Sequence, residues 1–330
     1  MKTALDSLPW FARDESGRLM VKNGAVGPVV DLHTHLAMGA VLPFQAELLR
    51  ESAYVEHYLP GAEPADLDCY ANSNFSADGL RRMKRDLLLA NLGAGHLRRT
   101  HTVPNLLAEM RGLGVVRAVS LPIDFPFLSR NTEATLTAVA GREELIPFAS
   151  VHPLELRPEE RLDAHLHRGA RGLKVHPAVQ LVRPDAPSAM RLYRACGDRG
   201  VPVLWHCGPV GIEPRLSRWL SQVRFYERPI AACPRTTFVL GHAGARQAEE
   251  ALRLHRSYPN VFLELSSQGL PWVRRILDEG DPLRIVFGSD WPFYAQGLSL
   301  AKVLLATEGR PALRHQVLYG NAARLLGLRD

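Results

Sequence analysis

Short apolar runs that end on a polar side chain recur along this chain, separated by stretches of helical periodicity. The runs cover residues 29–35, 117–122, 146–152, 172–176, 201–206, 237–242, 261–266 and 284–290, and they are bounded by Gly or Pro. They are short and continuously apolar, which reads as strands buried on both faces of a parallel sheet. Between them, residues 105–113, 132–140, 158–168, 187–199, 246–255, 271–278 and 298–305 carry helical patterns. Eight strands alternating with helices predict an α/β protein of (β/α)8 TIM-barrel type, one domain over 1–330. A doubly wound open sheet is the alternative, but no Gly-rich phosphate-binding turn follows the first run.

Two stretches break the repeat. Residues 1–28 form an N-terminal extension whose turn signals, Asp14-Glu15-Ser16-Gly17 and Lys22-Asn23-Gly24, predict a small hairpin-like cover. Residues 37–100 lie between the first strand and the first regular helix. A strand-to-helix connection of a barrel emerges on the catalytic face, so this insertion is expected to be a partly helical lid.

Composition narrows the class. With 330 residues, 46% of them hydrophobic, the chain can bury a large core. No apolar run reaches membrane-spanning length, and the first residues lack the apolar core of a signal peptide. Cys69, Cys196, Cys207 and Cys233 are scattered, as expected of reduced thiols in a cytoplasmic protein. The net charge is +6, yet the basic residues are dispersed, which argues against nucleic-acid binding and fits small anionic ligands. Lysines are few (Lys2, Lys22, Lys84, Lys174 and Lys302), so Lys174 at a strand end beside a histidine stands out.

Five strand ends carry the candidate chemistry. They read Asp31-Leu32-His33-Thr34-His35, Leu173-Lys174-Val175-His176, Leu204-Trp205-His206-Cys207, Leu240-Gly241-His242-Ala243 and Gly288-Ser289-Asp290-Trp291. His33 and His35, two apart on a strand, point the same way, and two imidazoles at that spacing can hold one metal ion. His165 and His167 have the same spacing within a helical pattern, where they do not face each other, and read as surface. A lone His206 or His242 would pass for a hydrogen-bonded core residue; together with Asp290 they suggest a shared divalent-metal site. A buried unpaired aspartate is costly, and a cation or a proton-transfer partner would account for Asp290. Lys174 reads as a salt-bridge partner, as a carboxylated bridge between two metals, or as a cation for a substrate carboxylate. His176 is substrate-facing or structural. Weaker candidates are His152, Ser266 and the lid run Asn72-Ser73-Asn74.

The ordered set resembles the amidohydrolase superfamily, and within it the amidohydrolase-2 branch that includes aminocarboxymuconate-semialdehyde-decarboxylase-like proteins. The closing run Gly320-Asn321-Ala322-Ala323-Arg324-Leu325-Leu326-Gly327-Leu328 is similar to the C-terminal helix of that branch. The resemblance implies that His33, His35, His206 and Asp290 hold one zinc-like ion, with Mn²⁺, Fe²⁺ or Co²⁺ tolerated. It implies that His242 is catalytic in a mononuclear site, or a ligand of a second metal bridged by a carboxylated Lys174. The expected activity is hydrolysis of an amide, lactone or other ester of a small anionic molecule by a metal-activated water, with Asp290 and His242 moving the protons. The alternative is a non-oxidative decarboxylase, with Lys174 or the lid arginines Arg81 or Arg85 holding the carboxylate. A homodimer is expected from family habit, and a catalytically inert ligand-binding barrel is the reading from another class.

Overall fold

Strand alternation decides which side chains reach the site. The computed structural model describes residues 2–22, 24–39, 47–89, 97–125 and 129–328. Six parallel strands run in the order Ala149–Ser150, Leu173–Val175, Val203–His206, Phe238–Gly241, Val261–Glu264, Ile285–Val286. A second parallel sheet holds Val29–Thr34, Val115–Ser120 and Leu145–Pro147. Leu204, Val239, Phe262 and Val286 pack into one apolar cluster with Val30 and Phe148, closed off by Ala322 and Leu326 of the C-terminal helix Asn321–Leu326. Their strand neighbours Val203, Trp205, Phe238, Leu240, Val261, Leu263, Ile285 and Phe287 belong to the other cluster, against the helices. A period of two along each strand therefore carries His206 and Glu264 onto the face begun by Leu204 and Phe262.

The two sheets touch at both margins. The Phe148 N–H donates to the Ser120 carbonyl at 3.0 Å, and the Leu32 N–H donates to the Phe287 carbonyl at 3.0 Å. The Asp290 N–H donates to the His33 carbonyl at 2.8 Å, and Thr34 bridges to Trp291. All eight expected runs contain strand, but two are shorter or broken. The third is interrupted at Phe148, and the last is only Ile285–Val286. Beyond it, Asp290 takes a left-handed φ of 62°.

Helices follow the predicted runs closely: Val103–Leu113, Asn131–Val139, Pro158–His167, Pro187–Asp198, Leu270–Glu279 and Gln296–Ala306. The run expected at 246–255 instead begins at Ala248. Ala243, Gly244 and Ala245 hold φ of 43°, 82° and 51°, which no α-helix accommodates.

The N-terminal hairpin is present as antiparallel strands Phe11–Arg13 and Leu19–Val21. The Asp14 carboxylate closes its turn, accepting from the Ser16 and Arg18 N–H groups at 2.9 Å each. The hairpin packs on the helix Val103–Leu113. The insertion 37–100 is partly helical (Ala71–Asn74, Ala77–Leu89 and Leu97–Thr100), while its residues 40–46 and 90–96 lie outside the described residues. It is tied to the loops that follow the six-stranded sheet's strands by Ala71 N–H to Ser267 O at 2.8 Å, Asn72 Nδ2 to Val210 O at 3.1 Å and Leu270 N–H to Leu67 O at 2.8 Å. No helix among the described residues is long and apolar enough to cross a membrane.

Candidate active site

At the C-terminal ends of the strands, His33, His35, Lys174, His206, His242 and Asp290 come together, all of them buried. The nearest grouping is His33, His35 and Asp290, whose ligand atoms lie within 4.8 Å of one another. Asp290 Oδ1 is 3.5 Å from His35 Nε2 and 3.8 Å from His33 Nε2. His35 Nδ1 sits 2.7 Å from the Leu121 carbonyl, which can only accept, so His35 carries its proton on Nδ1 and offers a lone pair on Nε2. A carbonyl or carboxylate behind each imidazole is the arrangement that orients metal-ligating histidines.

His206 stands apart from that grouping. Its Nδ1 is 3.1 Å from His242 Nε2, and the His176 ring stacks on it with centroids 3.9 Å apart. Three of the four expected ligands thus converge, and the fourth is engaged by a neighbouring histidine. His176 also accepts from the Val179 N–H at 3.3 Å, which caps the short helix Pro177–Gln180. Lys174 is fully buried with Nζ 3.1 Å from His33 Nε2.

The residue that sequence reasoning misses is Glu264. Its carboxylate lies 2.6 Å from His33 Nδ1 and accepts from the His242 N–H at 3.1 Å and the Ser266 hydroxyl at 2.8 Å. With His33 and His242 it forms a second grouping of ligand atoms within 4.8 Å. The signal is there: Glu264 is the one charge in Val261-Phe262-Leu263-Glu264-Leu265, and the argument applied to a buried Asp290 applies equally to it. Asp31, also buried, binds the strand ends together, taking the Ser289 hydroxyl at 2.5 Å, the Gln296 amide at 2.7 Å and the His33 N–H at 3.0 Å.

Burial dominates the electrostatics. Desolvation, with the Lys174 charge behind it, holds the His33, His206, His242 and His176 imidazoles well below their usual pKa, hence neutral. Burial lowers the Lys174 amine to about 7, against the raising influence of Asp290 and Glu264. Burial raises Glu264 to about 7 and Asp31 to about 6, only partly offset by their hydrogen bonds. Asp290 and His242 both sit at positive φ, 62° and 56°, a strained backbone of the kind that clusters at functional sites.

The weaker candidates divide. Ser266 enters the site, with Oγ 2.8 Å from His242 Nδ1. His152 is structural: Nε2 meets the Gln180 carbonyl at 2.8 Å and Nδ1 the Leu154 N–H at 3.2 Å. Asn74 shapes its own loop through Asp66, whereas Asn72 bonds the Tyr294 hydroxyl beneath the insertion. Arg81 and Arg85 are exposed on the helix Ala77–Leu89, and Arg81 pairs with Asp78, so neither supplies a carboxylate clamp. His167 is at the surface as expected, but His165 is buried, one turn from the buried Leu162 on the same helix.

The family model described as Amidohydrolase (Amidohydro_2) matches residues 94–328. The chain belongs to the amidohydrolase superfamily, amidohydrolase-2 branch, and is an enzyme of that kind. The match begins after His33 and His35, which the structure alone brings to Asp290. No curated protein matches the chain. Solved structures show the same fold at low identity. An uncharacterised TIM-barrel protein from Bordetella bronchiseptica is 18% identical with a TM-score of 0.64, over 91% of this chain and 98% of that one. The 5-carboxyvanillate decarboxylase of Sphingomonas paucimobilis is 14% identical with a TM-score of 0.63, over 92% and 99%. A probable 2-pyrone-4,6-dicarboxylic acid hydrolase of Acinetobacter baumannii is 13% identical with a TM-score of 0.57, over 91% and 99%.

Proposed function

We propose that the two parallel sheets form one closed (β/α)8 barrel and that its site is that of a metal-dependent hydrolase acting on an amide, lactone or other ester of a small anionic molecule. The observation that carries this reading is the convergence of His33 Nε2, His35 Nε2 and Asp290 Oδ1. The donor set fits a divalent cation: neutral imidazoles and one carboxylate, with His35 locked in the tautomer that leaves Nε2 free. Mixed nitrogen and oxygen donors suit Zn²⁺ and tolerate Mn²⁺, Fe²⁺ or Co²⁺. His33, His35 and Asp290, with His206 as the further ligand, would hold the cation, which would supply Lewis acidity toward water and a carbonyl. Asp290 takes the proton from the attacking water as the new C–O bond forms. The C–N or C–O bond to the leaving group then breaks, and the proton taken by Asp290 passes to it, directly or through His242. The Lys174 ammonium, beside His33 on the site floor, balances the negative charge of an anionic substrate.

The same Lys174 favours a second reading. A buried amine that titrates near neutrality holds a carboxylate and gives a proton at pH 7, which is what a non-oxidative decarboxylase needs. Metal content per chain, by elemental mass spectrometry on protein purified without chelators, comes first. One ion per chain is expected; a chain that holds none and rebinds none overturns the reading. Activity of the loaded protein on panels of lactones, esters and hydroxybenzoates, read as acid release against CO₂ release, then separates the two reactions.

A further inference from the structure

When ionised, Glu264 stands at the head of a hydrogen-bond chain in which each direction follows from the one before. Its two oxygens receive obligate donors: the Ser266 N–H on Oε1 and the His242 N–H on Oε2, the latter at 3.1 Å. The Ser266 hydroxyl also reaches Oε2 at 2.8 Å, and the same oxygen lies 2.6 Å from His33 Nδ1. With its proton given to Glu264, Ser266 Oγ has only lone pairs to offer His242 Nδ1, 2.8 Å away, so His242 is protonated there. His242 Nε2 is then an acceptor, and His206 Nδ1 at 3.1 Å must be the donor. The packing holds the carboxylate in place: a Cβ at Gly288 would collide with Glu264 Oε1 and would lie 2.8 Å from His33 Cβ.

We propose that Glu264 is the positioning residue that sets the tautomers of three site histidines, His33 directly and His242 and His206 through Ser266. All three carry their proton on Nδ1. His33 and His206 therefore present Nε2 lone pairs, and the Lys174 amine already donates to the former at 3.1 Å. His242 has its Nε2 lone pair turned to His206, so in the resting enzyme it is a base held in reserve. This rests on the metal-site reading above. Outer partners of ligating histidines typically contribute about 10- to 100-fold in metal affinity.

The test is the Zn²⁺ dissociation constant of the full chain, by competition with a chromophoric chelator, for the wild type, Glu264→Gln and Ser266→Ala. An amide in place of the carboxylate turns one acceptor into a donor that faces other donors. Glu264→Gln is expected to bind Zn²⁺ about 10- to 100-fold more weakly. Ser266→Ala, which leaves the His33 contact intact but releases the His242–His206 pair, is expected to weaken Zn²⁺ binding less than Glu264→Gln does, while the pH profile of turnover shifts. A folded Glu264→Gln chain that binds as tightly as wild type overturns the proposal. A wild type that binds no Zn²⁺ overturns the metal reading instead. Should Glu264→Gln fail to fold, ¹⁵N shifts of histidine-labelled wild type decide. Nδ1-protonated His33, His242 and His206 support the proposal, and an Nε2-protonated His33 or His242 refutes it.

Discussion

Two halves of the same site use histidine in opposite ways. On the side of Val29–Thr34, the rings of His33 and His35 turn their Nδ1 atoms to fixed acceptors, Glu264 and the Leu121 carbonyl, and leave Nε2 toward Asp290. On the side of Val203–His206 and Phe238–Gly241, His206, His242 and His176 turn to one another, by a 3.1 Å hydrogen bond and a stacked pair of rings. The first half turns Nε2 lone pairs and a carboxylate oxygen toward one point, as a cation requires, with the Lys174 amine on the His33 lone pair. The second half links one histidine to the next, His206 Nδ1 to His242 Nε2, and His242 Nδ1 on to Ser266, as a proton relay requires. The contrast teaches that the type of residue does not decide its role; the partner on the far nitrogen does.

Breaking the first half should have the largest effect. Asp290→Asn keeps the volume but removes the carboxylate from both imidazoles and the proton acceptor from the water. A loss of about 10²- to 10⁴-fold in kcat is expected from the acid/base role, together with a fall in bound metal. Steady-state kinetics and elemental analysis on one preparation check both. Full metal occupancy in Asp290→Asn would move Asp290 out of the ligand set.

The second half answers to a different change. His242→Asn is expected to lower kcat by about 10²-fold with KM and metal content unchanged, since His242 is read as acid/base and not as a ligand. Loss of one ion of two would instead place His242 on a second metal and bring the carboxylated Lys174 back.

How much of this is legible in the chain follows from the same contrast. Strand ends and the pairs two residues apart repeat on a period of two, so the amino-acid pattern alone singles out His33, His35, His206, His242, Lys174 and Asp290. Glu264 escapes that pattern because nothing in Val261-Phe262-Leu263-Glu264 repeats it; its place is fixed by His33, 231 residues away. The distinction between His206 as ligand and as relay is not legible, because it depends on which neighbour meets each ring nitrogen. The missing side chain of Gly288 leaves room that the fold fills with the Glu264 carboxylate. Arg81 and Arg85 read as a carboxylate clamp, but helical phase within 37–100 turns both to solvent.

An effect on stability rather than turnover separates the site floor from the anchor of the insertion, each of which contains a buried lysine. Lys174 faces Asp290 and Glu264 and is held down to about 7 by burial. Lys302, in Gln296–Ala306, donates to the Gln268 carbonyl at 2.7 Å and is held down to about 8 by burial, opposed by Cys69, Asp66 and Asp68. For a lysine whose folded pKa lies below the unfolded 10.5, the unfolded chain binds the extra proton between the two values. Stability from this group therefore rises with pH from about 8 to 10.5 and is lost as pH falls through about 8. Lys302→Met removes that dependence. Relative to wild type, the variant should gain up to about 3 kcal/mol of stability at pH 7 compared with pH 10.5. Thermal or urea unfolding at the two pH values measures the double difference, which cancels the other titrating groups. A difference that stays flat would mean that Lys302 remains solvated when charged, and that the insertion does not seal this lysine as it is sealed here.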